Sequence, residues 1–230
     1  MSEESPNEPD SLTIVDELSR LLVAADLKPP YLVVGHSWGG ILAREFIAAQ
    51  PSEDICGLLL VDPVQERMLF EAWPDPSIAA VTDGLNYMEV ELMAEESSDK
   101  HARQAVRELP YLQVNRSILA KKQQLLPGRD LLNGKPVSVL RGNSKRDHEL
   151  LYKAGVAQGG GTEAQRAKFE GYLAQWEESE ESFQRELLNL SSTARFSTTT
   201  RSGHNTQLTE PELVADEIRW VLQRTSASMA

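Results

Sequence analysis

Two apolar, β-branched runs joined by a single helical stretch constrain this chain more than any other feature. Tyr31-Leu-Val-Val-Gly35 and Ile55-Cys-Gly-Leu-Leu-Leu-Val61 have the continuous apolar character of strands buried on both faces of a parallel sheet. Between them, residues 40–50 have helical character and stop at Pro51. Strand, helix, strand in this order is one parallel crossover unit. Upstream, Leu12, Val15, Leu18, Leu21, Leu22 and Ala25 recur at helical spacing, with Ser11 or Thr13 placed to cap the start. Downstream, Pro136–Arg141 and Ala194–Thr200 are strand-like. A long helix is predicted over Glu163–Leu190, with Glu177, Glu178, Glu180 and Glu181 as its solvated acidic face, and an amphipathic helix over Glu210–Leu222 closes the chain. There is no internal repeat, and the alternation predicts an α/β fold with a mostly parallel sheet.

Between Pro63 and Asn133 the pattern changes to short helical stretches, Tyr87–Glu96, His101–Leu109 and Asn115–Leu125, with no strand signal. The expected organisation is a core from 11–62 and 134–225, an inserted helical cap over 63–133, and disordered tails at 1–10 and 226–230. A formal net charge of -12 works against binding phosphate backbones or anionic bilayers, and no apolar run approaches the roughly 20 residues of a membrane span. Neither a nucleic-acid nor a membrane partner is expected. The acidic, proline-bearing start lacks the basic and apolar regions of a secretory signal, so a cytoplasmic location is expected. The single Cys56 cannot form an internal disulfide and reads as a packing residue.

The chemistry is concentrated at the first strand-to-helix turn. In Gly35-His36-Ser37-Trp38-Gly39 a serine is flanked by glycines that allow a sharp turn, which aims its weakly nucleophilic hydroxyl outward. The helix that follows points its positive end at the same place, and the Trp38 backbone N–H is placed to donate to an oxyanion. Ser202-Gly203-His204 follows the last strand and can deliver a general base to Ser37. His36 is expected to shape the pocket. Trp73 and Met88, with Met93 and Tyr111, are candidates for an apolar acyl pocket beneath the cap. No pair of histidines has metal-ligand spacing such as H-E-x-x-H, so no metal is expected. Gly159-Gly-Gly161 is not followed by the Lys and Ser/Thr of a phosphate loop.

Three blocks, Tyr31-Leu-Val-Val-Gly-His-Ser-Trp-Gly-Gly40, Gly57-Leu-Leu-Leu-Val-Asp-Pro63 and Ser202-Gly-His-Asn-Thr-Gln-Leu208, resemble successive segments of the α/β-hydrolase superfamily. The resemblance implies a Ser-acid-His triad, no cofactor, and hydrolysis or transfer at a carbonyl. The acid has two candidates. Asp62 ends the strand after the nucleophile helix, and Asp147 lies in the predicted loop after the next strand, the superfamily's commoner acid location. Asp62 is preferred for its place at a strand's carboxyl end, with Asp147 the alternative. Serine at the elbow argues against epoxide hydrolase and dehalogenase chemistry, which use aspartate there in this fold.

The resemblance covers only part of the superfamily pattern, because the strands that normally precede the elbow have no counterpart here. A partial α/β-hydrolase fold is expected, with the second oxyanion donor missing and an apolar edge open at Tyr31–Val34 to self-association or a partner chain. The expected function is hydrolysis of a small apolar ester, thioester or lactone. The alternative is a catalytically impaired binding or interaction protein, or half of a split enzyme.

Overall fold

The computed structural model describes residues 6–68, 76–82, 85, 107 and 109–228. Trp73, Met88 and Met93, the stretch Tyr87–Glu96 and most of His101–Leu109 lie outside the described residues.

The first helix, α1 (Ser11–Ala24), is capped by Asp10, whose carboxylate accepts from the backbone N–H of Leu12 and Thr13. The cap therefore falls one residue before Ser11, inside the segment expected to be a disordered tail. β1 (Tyr31–His36), α2 (Gly39–Ala49) and β2 (Ile55–Val61) form the crossover read from the sequence. They are followed by α3 (Leu112–Lys122), β3 (Val137–Arg141), α4 (Ser144–Ala157), α5 (Glu163–Glu186) and β4 (Ala194–Thr198). A one-turn helix α6 (Thr206–Thr209) and α7 (Pro211–Ser228) complete the order, so helix extends into the segment expected to be the C-terminal tail.

The four strands form one sheet in the order β1-β2-β3-β4, and every pairing is parallel. All seven residues of β2 are buried, because successive side chains enter different cores. Leu58 and Leu60 pack with Val15, Phe46, Ile47, Val137, Val139, Leu187 and Leu190. Leu59 and Val61 pack with Leu140 against Leu213, Val214 and Ile218 of α7. Covering on both faces is the physical reason for an uninterrupted apolar run, and each fully buried leucine contributes about 1.5–3 kcal/mol. β1, by contrast, pairs on one side only among the described residues, and Val34 is 48% exposed.

One feature departs from the sequence reading. The segment after β3, read as a loop, is the helix α4: the side chain of Asn143 caps it by accepting from the Arg146 N–H, and Asp147 sits in its first turn. Among the described residues, α4 and α5 supply helical lining at the sheet's carboxyl end through Ser144, His148, Trp176, Glu180 and Gln184, while residues 69–75, 83–84, 86–106 and 108 of the expected 63–133 cap lie outside the described residues. Within that span, Pro76–Val81 forms a 3-10 stretch and packs into the turn between α4 and α5. There a Cβ added to Gly155 would lie 2.0 Å from the Val81 carbonyl oxygen. Buried Arg44 of α2 fastens the segment after β2 through a two-pronged pair with Glu66 at 2.6 and 3.0 Å, and its Nε donates to Gln124. No described helix is long and apolar enough to cross a membrane.

Candidate active site

The carboxyl ends of β1 and β2 each release one residue into the left-handed region, Ser37 with φ 53° and Asp62 with φ 39°. Residues other than glycine rarely adopt this conformation, so the surroundings must hold it. The Ser37 N–H donates to the Val61 carbonyl at 3.1 Å, and the Ser37 carbonyl accepts from Gly40 and Val64 N–H at 3.0 Å each. The Asp62 N–H donates to the Leu140 carbonyl at 2.7 Å. The two flanking glycines are not equivalent. A Cβ at Gly35 would fall 2.5 Å from the Gly39 carbonyl oxygen, whereas one at Gly39 would meet nothing within 4 Å. The turn needs its first glycine for space, and at the other end it is Gly40 that is crowded, against Pro63.

His204 is held from four directions. Its Nδ1 lies 2.7 Å from Asp62 Oδ2. Its backbone N–H donates to Asp147 Oδ2 at 2.6 Å, and its carbonyl accepts from His36 Nε2 at 2.9 Å. Gly203 completes the support, since a Cβ there would lie 1.9 Å from the Asp147 carboxylate. The two candidate acids thus divide the work: Asp62 engages the imidazole, and Asp147 fixes the backbone that carries it. Because a carbonyl can only accept, His36 must carry its proton on Nε2, leaving Nδ1 to face the Gln207 amide at 3.4 Å. Burial, assisted by the nearby charge of His204, pushes the His36 pKa down. His36 therefore braces the His204 loop and is not among the residues lining the cavity described next.

Ser37, Asp62 and His204 line a cavity of about 280 Å³, together with Val64, Met68, Ser144, His148, Trp176, Glu180 and Gln184. Ser37 Oγ makes no hydrogen bond among the described residues; such contacts commonly tighten only when substrate binds. Trp38 stands at the start of α2, with its N–H unengaged among the described backbone contacts. The roof is aromatic. Trp176 donates its indole N–H to Ser144 Oγ at 2.9 Å, and the His148 ring packs edge-on at 4.8 Å from Trp176 and 5.5 Å from Tyr172. Burial pushes the His148 pKa down to about 4, so it faces the cavity uncharged at neutral pH.

The Asp62 carboxylate is saturated with donors. Oδ1 accepts from Gly142 N–H at 3.0 Å and from Gln184 Nε2 at 2.8 Å. Burial alone would raise this carboxyl, but the bond to and charge of His204, joined by Gln184 and Gly142, outweigh it and hold the pKa below its ordinary value. Glu180, read from sequence as part of a solvated acidic face, is instead 1% exposed. Its carboxylate accepts from Arg141 Nε and from Gln184 Nε2. Burial first, then the charge of Asp62, push its pKa up to about 8 against the opposing pull of Arg141.

The sequence reading missed Trp176, Glu180 and Gln184. The available signal was their 3–4 residue spacing with Phe169, Leu173 and Phe183, all on the buried stripe of α5. Among the described residues, no group of three His, Cys, Asp or Glu side chains is placed to hold a metal ion.

A profile of the alpha/beta hydrolase family matches residues 3–217. An AB hydrolase superfamily protein of Gibberella zeae is 31% identical over 231 residues, spanning 90% of this chain and 69% of the relative. In structure, the chain is similar to the lip1 protein of Acinetobacter baumannii AYE, with a TM-score of 0.55 and 16% identity, covering 99% of this chain and 72% of that one. It is also similar to Est816, an N-acyl homoserine lactone degrading enzyme, with a TM-score of 0.52 and 16% identity over 94% of this chain and 76% of that chain. The structural likenesses speak for the fold; the profile and the Gibberella relative carry the assignment, and this chain belongs to the alpha/beta hydrolase family.

Proposed function

We propose that the chain is a serine hydrolase that cleaves a small, apolar ester, thioester or lactone through an acyl-enzyme on Ser37. The observation that carries this reading is the Asp62–His204 contact of 2.7 Å on the wall of the cavity that also contains Ser37. His204 Nε2 takes the proton as Ser37 Oγ attacks the substrate carbonyl carbon, and Asp62 stabilises the imidazolium that results. The oxyanion meets the Trp38 N–H and the positive end of α2. Collapse of the tetrahedral species breaks the bond to the leaving alkoxide or thiolate, which receives the proton from His204. Water, deprotonated by His204, then attacks the acyl-serine; collapse breaks the bond to Ser37 Oγ, which takes the proton back from His204, and the carboxylic acid leaves. Val64, Met68 and Trp176 favour an apolar acyl group, and a cavity of about 280 Å³ favours a short one.

The test is turnover of aryl esters of graded acyl length by wild type and Ser37→Ala. The expected result is a preference for short acyl chains, with an initial burst of aryl alcohol that Ser37→Ala abolishes. Equal rates for the two proteins would refute the reading.

The pairing of β1 on one side only among the described residues, with Val34 exposed, favours a second proposal: a partner chain or a second copy adds to this edge. Sedimentation over a concentration series tests it. Strictly monomeric behaviour, together with full activity without a partner, would remove it.

A further inference from the structure

A catalytic carboxylate is useful only when one oxygen is kept for the imidazole, and the roof helix bears on that choice. Gln184 is 1% exposed, and its Nε2 reaches both Asp62 Oδ1, at 2.8 Å, and Glu180 Oε1. The two protons of one amide nitrogen are thus shared between two carboxyl groups. The reverse orientation would set the amide oxygen against them. Holding this orientation leaves Gln184 Oε1 buried with no partner among the described residues, an unfavourable state that its bonds to the Asp62 carboxylate and the Glu180 carboxyl group must outweigh.

We propose that Gln184 is a positioning residue for the Asp62–His204 pair: its amide, turned by Glu180 and Arg141, holds Asp62 Oδ1 and leaves Oδ2 to the imidazole. The proposal rests on the acyl-transfer reading for its catalytic consequence but not for its geometry. Arg141, from the end of β3, anchors the outer half. Its Nε binds Glu180, while its Nη atoms reach the Glu177 carbonyl at 3.4 Å and Glu181 at 3.6 Å. The titratable and charged groups around the network are Asp62 just after β2, Arg141 from β3, Lys145 and His148 from α4, Tyr172, Glu177 and Glu181 from α5 itself, and His204 from its loop. Because α5 also carries Trp176 on the cavity wall, the element that contacts the substrate is the one that orients the acid.

The experiment compares wild type, Gln184→Met and Gln184→Glu, each shown to be folded by its thermal transition. It reads kcat and KM for a short-chain aryl ester across pH, and the titration of the His204 ring by nitrogen-resolved NMR. Methionine removes both donors at similar size. Losing a hydrogen bond to a buried charge is expected to lower kcat about 10- to 100-fold with little change in KM. Asp62, less stabilised by donors, should pair more strongly with the imidazolium and raise the His204 pKa by roughly half a unit or more. Gln184→Glu adds a charge when ionised and regains a donor when protonated. Its rate relative to wild type is therefore expected to recover on acidification, a signature that packing alone would not give.

An unchanged His204 titration together with unchanged kcat in the folded variants would overturn the proposal. If wild type shows no Ser37-dependent turnover, the hydrolase reading fails instead, and the His204 titration still decides whether Gln184 positions the pair.

Discussion

The floor and the roof of the cavity are built by different means. The floor is backbone geometry: Ser37 and Asp62 sit in left-handed turns at adjacent strand ends, and His204 rides a loop clamped by Asp147 and His36. The roof is side-chain chemistry on α4 and α5, where Trp176, His148, Glu180 and Gln184 meet. On the proposed acyl-transfer reading, the floor supplies the reacting groups, while the roof shapes the acyl site and tunes the acid beneath it.

The sharpest break of this comparison lies in the floor. Ser37→Ala or His204→Ala is expected to lower kcat about 10⁴-fold or more, and Asp62→Asn about 10³- to 10⁴-fold. Asp147→Asn keeps an acceptor for the His204 N–H and should cost far less. Steady-state kinetics of the four variants check this, and an Asp147→Asn loss as large as that of Asp62→Asn would erase the division of labour between the two acids.

The roof should show first as acid sensitivity. The unfolded chain protonates His148 near its ordinary 6.5, whereas the folded protein resists until about 4. Stability from this depressed pKa is therefore complete above 6.5 and is lost as pH falls toward 4, by about 3 kcal/mol. Urea unfolding at neutral and acidic pH should show that wild type loses more on acidification than His148→Asn. Parallel losses would remove His148 as the cause.

Gly203→Ala bridges the two regions, because its Cβ would collide with Asp147 at the base of the roof. A displacement of His204 by an ångström is expected to cost roughly 100-fold in kcat/KM with the fold retained by circular dichroism. The smallest effect belongs to the wall: Met68→Ala enlarges the cavity and should shift kcat/KM toward acyl chains one or two methylenes longer by a few-fold to roughly tenfold. An unchanged chain-length profile would mean that the acyl group lies elsewhere.

The floor was legible in the sequence because its causes are local. An apolar run, a glycine, a serine and a helix in succession leave little choice of turn, and Asp62 follows the last apolar residue of the neighbouring strand. The roof was not legible. Glu180 reads as solvated beside Glu177, Glu178 and Glu181, and only contact with Arg141 and Gln184, anchored at Asp62, explains its burial. Asp147 and His148 read as loop residues because α4 is a polar helix with a weak apolar stripe; its Asn143 cap and its packing on α5 make it helical. The shift of the α1 cap to Asp10 and the extra turns that carry α7 to Ser228 follow from capping and packing that apolar periodicity does not report.

The most direct test of the central claim is the site at which a fluorophosphonate probe attaches to the folded protein, mapped by peptide mass. A single adduct on Ser37 is expected, lost in His204→Ala and strongly slowed in Asp62→Asn. Absence of labelling in folded wild type, or an adduct on another serine, would contradict it.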